Sequence, residues 1–77
     1  MPKLVPIDYK KLVRIFELDG AIVIGQRGSH VVLRKPKAKR RLVIPTYKHT
    51  PVFIIINNLR TANMSREQYF ELLNKVK

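Results

Sequence analysis

Cysteine is absent from this 77-residue chain, so neither disulfides nor a thiolate metal site can supplement its core. Acidic residues are scarce, with five Asp and Glu in all, and histidine occurs only twice, as His30 and His49. Two histidines so far apart, with few carboxylates near them, do not make a zinc site. No apolar run approaches the ~20 residues of a membrane-spanning helix. The amino-terminal stretch Met1-Pro2-Lys3-Leu4-Val5-Pro6 lacks the apolar centre of a secretory signal, and a cytoplasmic protein is the simplest expectation. What remains is a single small domain, residues 1–77, near the lower limit for a chain stabilised by a hydrophobic core alone. Its 45% hydrophobic content argues against disorder.

What is abundant is positive charge. Sixteen Lys and Arg give a formal net charge of +11, and no acid lies between Asp19 and Glu67. That interval holds Arg27, Arg34, Lys35, Lys37, Lys39, Arg40, Arg41, Lys48, Arg60 and Arg66. Solubility needs a magnitude of charge; charge of one sign over half a chain points to a polyanion partner, most often nucleic acid.

Periodicity supplies the elements. Tyr9, Leu12, Val13 and Phe16 fall on one face of a helix over residues 7–18, with Asp8 at its start and Gly20 just past its end. Ala21 to Ile24 reads as a strand, Gly25 to Gly28 as a turn, and Ser29 to Lys35 as a second strand. Pro36 to Lys39 reads as a hairpin loop, and Arg41 to Ile44 as a third strand stopped by Pro45. Connections this short imply an antiparallel three-stranded meander. Thr50-Pro51 has the pattern of an N-cap followed by the first helical residue. The run Val52-Phe53-Ile54-Ile55-Ile56 has strand composition, yet Val52, Ile55, Ile56 and Leu59 also fit one helical face, so local sequence leaves both open. Ser65 to Gln68 fits a capping box, with Met64 and Tyr69 as a hydrophobic staple for a last helix.

The chemistry gathers at Gln26-Arg27-Gly28-Ser29-His30. Histidine gives or takes a proton near neutrality, and Arg27 presents a planar set of donors suited to phosphate oxygens. Gly28 permits backbone conformations that other residues avoid, or a close approach by phosphate. Alternation puts Val31 and Leu33 on one face of the second strand and His30, Val32 and Arg34 on the other. His30 equally suits a structural role, bonded to a neighbouring strand. Ser29 suits either a bond to a phosphate oxygen of RNA or a cap on the strand, the second being preferred; as a nucleophile it lacks an acid near enough to complete a triad. The basic residues Arg34, Lys35, Lys37, Lys39, Arg40 and Arg41 form a hairpin able to contact phosphates without reading sequence.

In this order (a helix ending in glycine, a strand, Arg27-Gly28-Ser29-His30, a basic hairpin, Val43-Ile44-Pro45, and a helix ending near Arg60-Thr61-Ala62) the chain resembles the HicA family of toxin mRNA interferases. The resemblance covers roughly residues 7–65. It implies an α+β fold, α-β-β-β-α, similar to the double-stranded RNA-binding domain, with a three-stranded antiparallel sheet, helices on one face and here an extra C-terminal helix. It also implies that residues 52–56 are helical. The activity implied is that of a type II toxin: an endoribonuclease that cleaves mRNA with His30 as acid/base catalyst. The implied partners are mRNA and an acidic HicB-type antitoxin. Phe53 and Ile54 would then lie off the core face, an apolar patch that marks an interface with that antitoxin. Departures from the family pattern are Ala21 after the helix-ending glycine, Tyr47 where Pro-x-His is usual, and Phe53-Ile54-Ile55 at the opening of the second helix. Attack by the ribose 2′-OH on the adjacent phosphorus needs no cofactor or metal, and Arg27 or Arg34 would stabilise the added phosphate charge. A non-catalytic RNA-binding module of the same fold and charge is the alternative.

Overall fold

The first helix, α1 (Tyr9–Leu18), starts where Asp8 accepts the backbone N–H of Lys10 at 2.9 Å. It stops in a Schellman motif: Gly20, at φ +100°, donates to Glu17, while the N–H of Ala21 reaches back to Phe16 at 2.9 Å. Ala21 and Phe16 are both buried, which gives that motif its hydrophobic contact. The chain then runs through β1 (Ile22–Arg27), β2 (His30–Arg34), β3 (Leu42–Pro45), α2 (Val52–Ala62) and α3 (Arg66–Lys75). This is a computed structural model and describes residues 3–76; the first two residues of the amino-terminal stretch read above lie outside it.

The strands form one antiparallel sheet in the order β1-β2-β3, giving the expected α-β-β-β-α with a further helix. Leu12, Ile15 and Phe16 of α1 meet Val31 and Leu33 of β2, Leu42 and Ile44 of β3, and Ile55, Leu59 and Ala62 of α2. Tyr69 of α3 and Met64 before it close the same core. Both arms of the capping box are made, Gln68 N–H to Ser65 Oγ and Ser65 N–H to Gln68 Oε1, each 3.1 Å. Residues 52–56 are helical. Their register buries Ile55, and Asn58 one turn on donates to the carbonyl of Val43 on edge strand β3 at 3.2 Å. A strand there would have left that edge without this cover.

Two local readings are corrected. Gly25 does not end β1: a bulge at Ile24 and Gly25 absorbs it, pairing resumes as Gln26↔Val31 and Arg27↔His30, and only Gly28 and Ser29 form the turn. Thr50 does not cap α2. Its N–H bonds the carbonyl of Ile7 at 2.7 Å in a bridge that ties the amino-terminal segment down, and Pro51 stands at the cap position with no side-chain bond.

Tyr69 carries a distinct expectation. Burial pushes its phenol up to about 12, and its hydroxyl has no hydrogen-bond partner among the described residues. Below pH 10 the phenol is neutral whether the chain is folded or not; above it the unfolded chain ionises first, and the fold loses stability as pH rises toward 12. Denaturant titrations at pH 8 and pH 11 should show a larger loss for the wild type than for Tyr69→Phe, by roughly 1–2 kcal/mol, since one pKa unit corresponds to about 1.4 kcal/mol. An identical pH dependence in the two proteins would rule out Tyr69 as its source.

Candidate active site

A hairpin that turns over two residues dictates which side chains stand opposite one another. Gly28 takes φ +56° and Ser29 does not enter the left-handed region, the sign pattern of a type II′ turn with glycine at its first position. A Cβ on Gly28 would meet nothing within 4 Å, so the requirement there is conformational. Gln26 braces the turn by donating to the carbonyl of Gly28 at 3.3 Å. Thr46 fastens it to the end of β3, donating to the carbonyl of Ser29 through its N–H at 2.8 Å and its hydroxyl at 3.1 Å. The anchoring role of Ser29 therefore belongs to its carbonyl.

Closure of this turn pairs Arg27 with His30, and His30 in turn with Pro45 on β3. Directly opposed residues of antiparallel strands share a face, so Arg27, His30 and Pro45 form one row on the face opposite Val31 and Ile44. Gly25, Val32 and Val43 make the next row, and Ile22 and Arg34 the one beyond. His30 is exposed and makes no side-chain hydrogen bond among the described residues.

His30 opens into a groove between the sheet and α2. Val43, Pro45 and Ile54 supply its apolar lining; Arg40, Arg41, Tyr47, Asn57 and Thr61 supply its polar groups. No carboxylate lines it, so nothing there repels a phosphate. The Tyr47 backbone is held from both sides, its N–H on the carbonyl of Pro45 at 2.8 Å and its carbonyl accepting from Tyr9 at 3.0 Å, while its side chain is half exposed. Sequence reading noted Tyr47 only as a departure and missed Asn57 and Asn58. The available signal for the last two was an asparagine pair inside an otherwise apolar helix, where asparagine is a poor helix former.

The other expected site residues divide. Arg27 pairs with His30 across the turn, and Arg40, Arg41 and Ile54 line the same groove as His30; Phe53, 65% exposed, lies beside Ile54 at the start of α2. Arg34 sits two rows away on the same sheet face. Lys37 and Lys39 border a second concavity. The ammonium of Lys35, expected among the phosphate contacts, is instead engaged within the fold, donating to Asp19 Oδ2 at 2.5 Å and to the carbonyl of Ala62 at 2.6 Å. His49 is exposed in a different depression, with Asp8 and Lys48. Among the described residues no group of three His, Asp or Glu could hold a metal ion, and no helix is long and apolar enough to cross a membrane.

The groove thus offers a proton carrier, two arginines and no acid, with Arg27 paired to the proton carrier across the turn. The family model described as HicA toxin of bacterial toxin–antitoxin matches residues 9–64, from the first residue of α1 to the residue before the N-cap of α3. No curated protein and no solved structure matches the chain.

Proposed function

The chain belongs to the HicA toxin family of bacterial toxin–antitoxin systems, and from that membership we propose that it is a metal-independent endoribonuclease that cleaves mRNA at His30. The observation that carries the reading is the opposition of Arg27 and His30 across a two-residue turn, beside an acid-free groove. RNA holds its own nucleophile. The 2′-OH attacks the adjacent phosphorus as its proton leaves to a base; the P–O5′ bond breaks, and the departing 5′ oxygen takes a proton from an acid. The products are a 2′,3′-cyclic phosphate and a 5′-OH. In this reading Arg27, Arg40 and Arg41 balance the charge that builds on the non-bridging oxygens, where charged donors act most strongly. His30 takes one proton step. The other falls to Tyr47, whose phenol shares the groove and which stands where the family resemblance would put a histidine.

The partner expected of a toxin is its antitoxin. Here we assign an acidic protein of the HicB type, drawn to the acid-free half of the chain and covering both Phe53 and the approach to His30. Action on mRNA places the protein in the cytoplasm.

The test is incubation of the purified protein with a defined RNA in excess EDTA, in parallel with the same RNA carrying a single 2′-deoxy nucleotide at the mapped cut site. Cleavage of the first and not of the second is expected. A wild type that binds the RNA and never cuts it would make the protein a binding module, and cutting of the 2′-deoxy strand would refute attack by the ribose.

A further inference from the structure

The hairpin loop between β2 and β3 does not stand free in solvent. Lys35, at its base, ties it to the end of α2 through the carbonyl of Ala62, and the loop and the last turn of α2 enclose a bowl. Lys37, Lys39 and Arg40 line it from the loop, Arg60 and Thr61 from the helix, and no acid contributes.

A helix C-terminus ordinarily repels anions, because its free carbonyls carry partial negative charge. Here that repulsion is reduced. The Lys35 ammonium donates to the Ala62 carbonyl at 2.6 Å and to Asp19 at 2.5 Å, so one helix-end carbonyl is capped by a cation and the Asp19 carboxylate is paired. Four cations, Lys37, Lys39, Arg40 and Arg60, are left facing the concavity. Lys37 holds φ +71°, a left-handed conformation that glycine would adopt at lower cost, and it lines the rim of the bowl. Arg40 and Thr61 line this bowl and the His30 groove alike, so the two depressions meet along the exposed flank of α2.

We infer that the bowl is a second phosphate site, taking a backbone phosphate of the same nucleic-acid strand whose reacting phosphate lies at His30. The site rests on the nucleic-acid reading above but not on cleavage. Arg60, outside the hairpin and 30 residues from His30 in sequence, becomes a strand-binding residue, and the strand follows α2 rather than crossing the sheet toward Arg34.

A fluorescent oligothymidylate is the probe, because it has the phosphodiester backbone and no 2′-OH to cut. Its affinity is measured by anisotropy over a range of salt concentrations. For a single strand each phosphate contact contributes about 0.7 to the slope of log K against log salt. Arg60→Ala should lower the slope by about that amount, and Arg60→Lys should restore it, since a phosphate contact asks for a charge. Arg14→Ala, on the exposed side of α1, should leave the slope as it was. An Arg60→Ala slope equal to that of the wild type would overturn the site. So would an equal loss in Arg14→Ala, which would mean general charge and no site, or a wild type that fails to bind at low salt. If the Arg60 result holds in a protein that never cuts RNA, the nuclease reading fails and the bowl stands.

Discussion

His30→Ala should abolish RNA cleavage while leaving fold and RNA binding nearly unchanged. Loss of a general acid–base group costs typically 10²–10⁴-fold in rate. The structural cost should be small, because the imidazole is exposed and bonds no described residue, whereas Val31 next to it carries the packing of that end of β2. Binding should survive because the arginines are untouched. The measurement is a single-turnover cleavage rate with a defined RNA, with thermal melting and RNA affinity recorded on the same preparations. Wild-type cleavage by a folded His30→Ala protein would remove the histidine from the mechanism. Equal losses of cleavage and of melting temperature would recast His30 as a structural residue.

Phe53→Asp should weaken the complex with the antitoxin by roughly 30- to 1000-fold, the range of a well-buried aromatic anchor at about 2–4 kcal/mol. Phe53 is 65% exposed in the free chain, so removing it leaves no cavity. It is also the second residue of α2, where an acid is favourable to the helix dipole, so the substitution does not harm the helix that carries it. The new carboxylate would instead face a partner already acidic, adding repulsion to lost contact. Titration of the purified antitoxin into each protein, with melting curves as control, separates the two. Undiminished affinity would place the antitoxin elsewhere on the surface without touching the family assignment.

Local signals were legible wherever a few neighbouring residues decide the outcome. The Asp8 cap, the Gly20 stop and the Ser65 capping box all rest on bonds between residues no more than five apart. Gly25 misled because glycine marks both turns and bulges, and only the register across to β2 tells them apart. Placing the turn too early hid the pairing of Arg27 with His30, the geometry on which the proposed chemistry depends. Residues 52–56 were undecided locally because a β-branched run and a helical stripe share the same letters; the contacts of Ile55 and Asn58 with the rest of the fold decide it. Lys35 looked like one more cation in a basic loop, and its partners lie 16 and 27 residues away in sequence.

The hairpin at Gly28 and Ser29 leaves the site no slack. A longer loop would let Arg27 and His30 wander and would require a ligand to gather them, with the lost chain entropy subtracted from affinity. With two turn residues held by Thr46, that ordering is done when the chain folds, before any substrate arrives. What is left to settle on encounter is rotation about side-chain bonds, which takes picoseconds to nanoseconds at exposed positions. For the proposed nuclease, chemistry or product departure, rather than assembly of the Arg27–His30 pair, is then expected to set the pace of turnover.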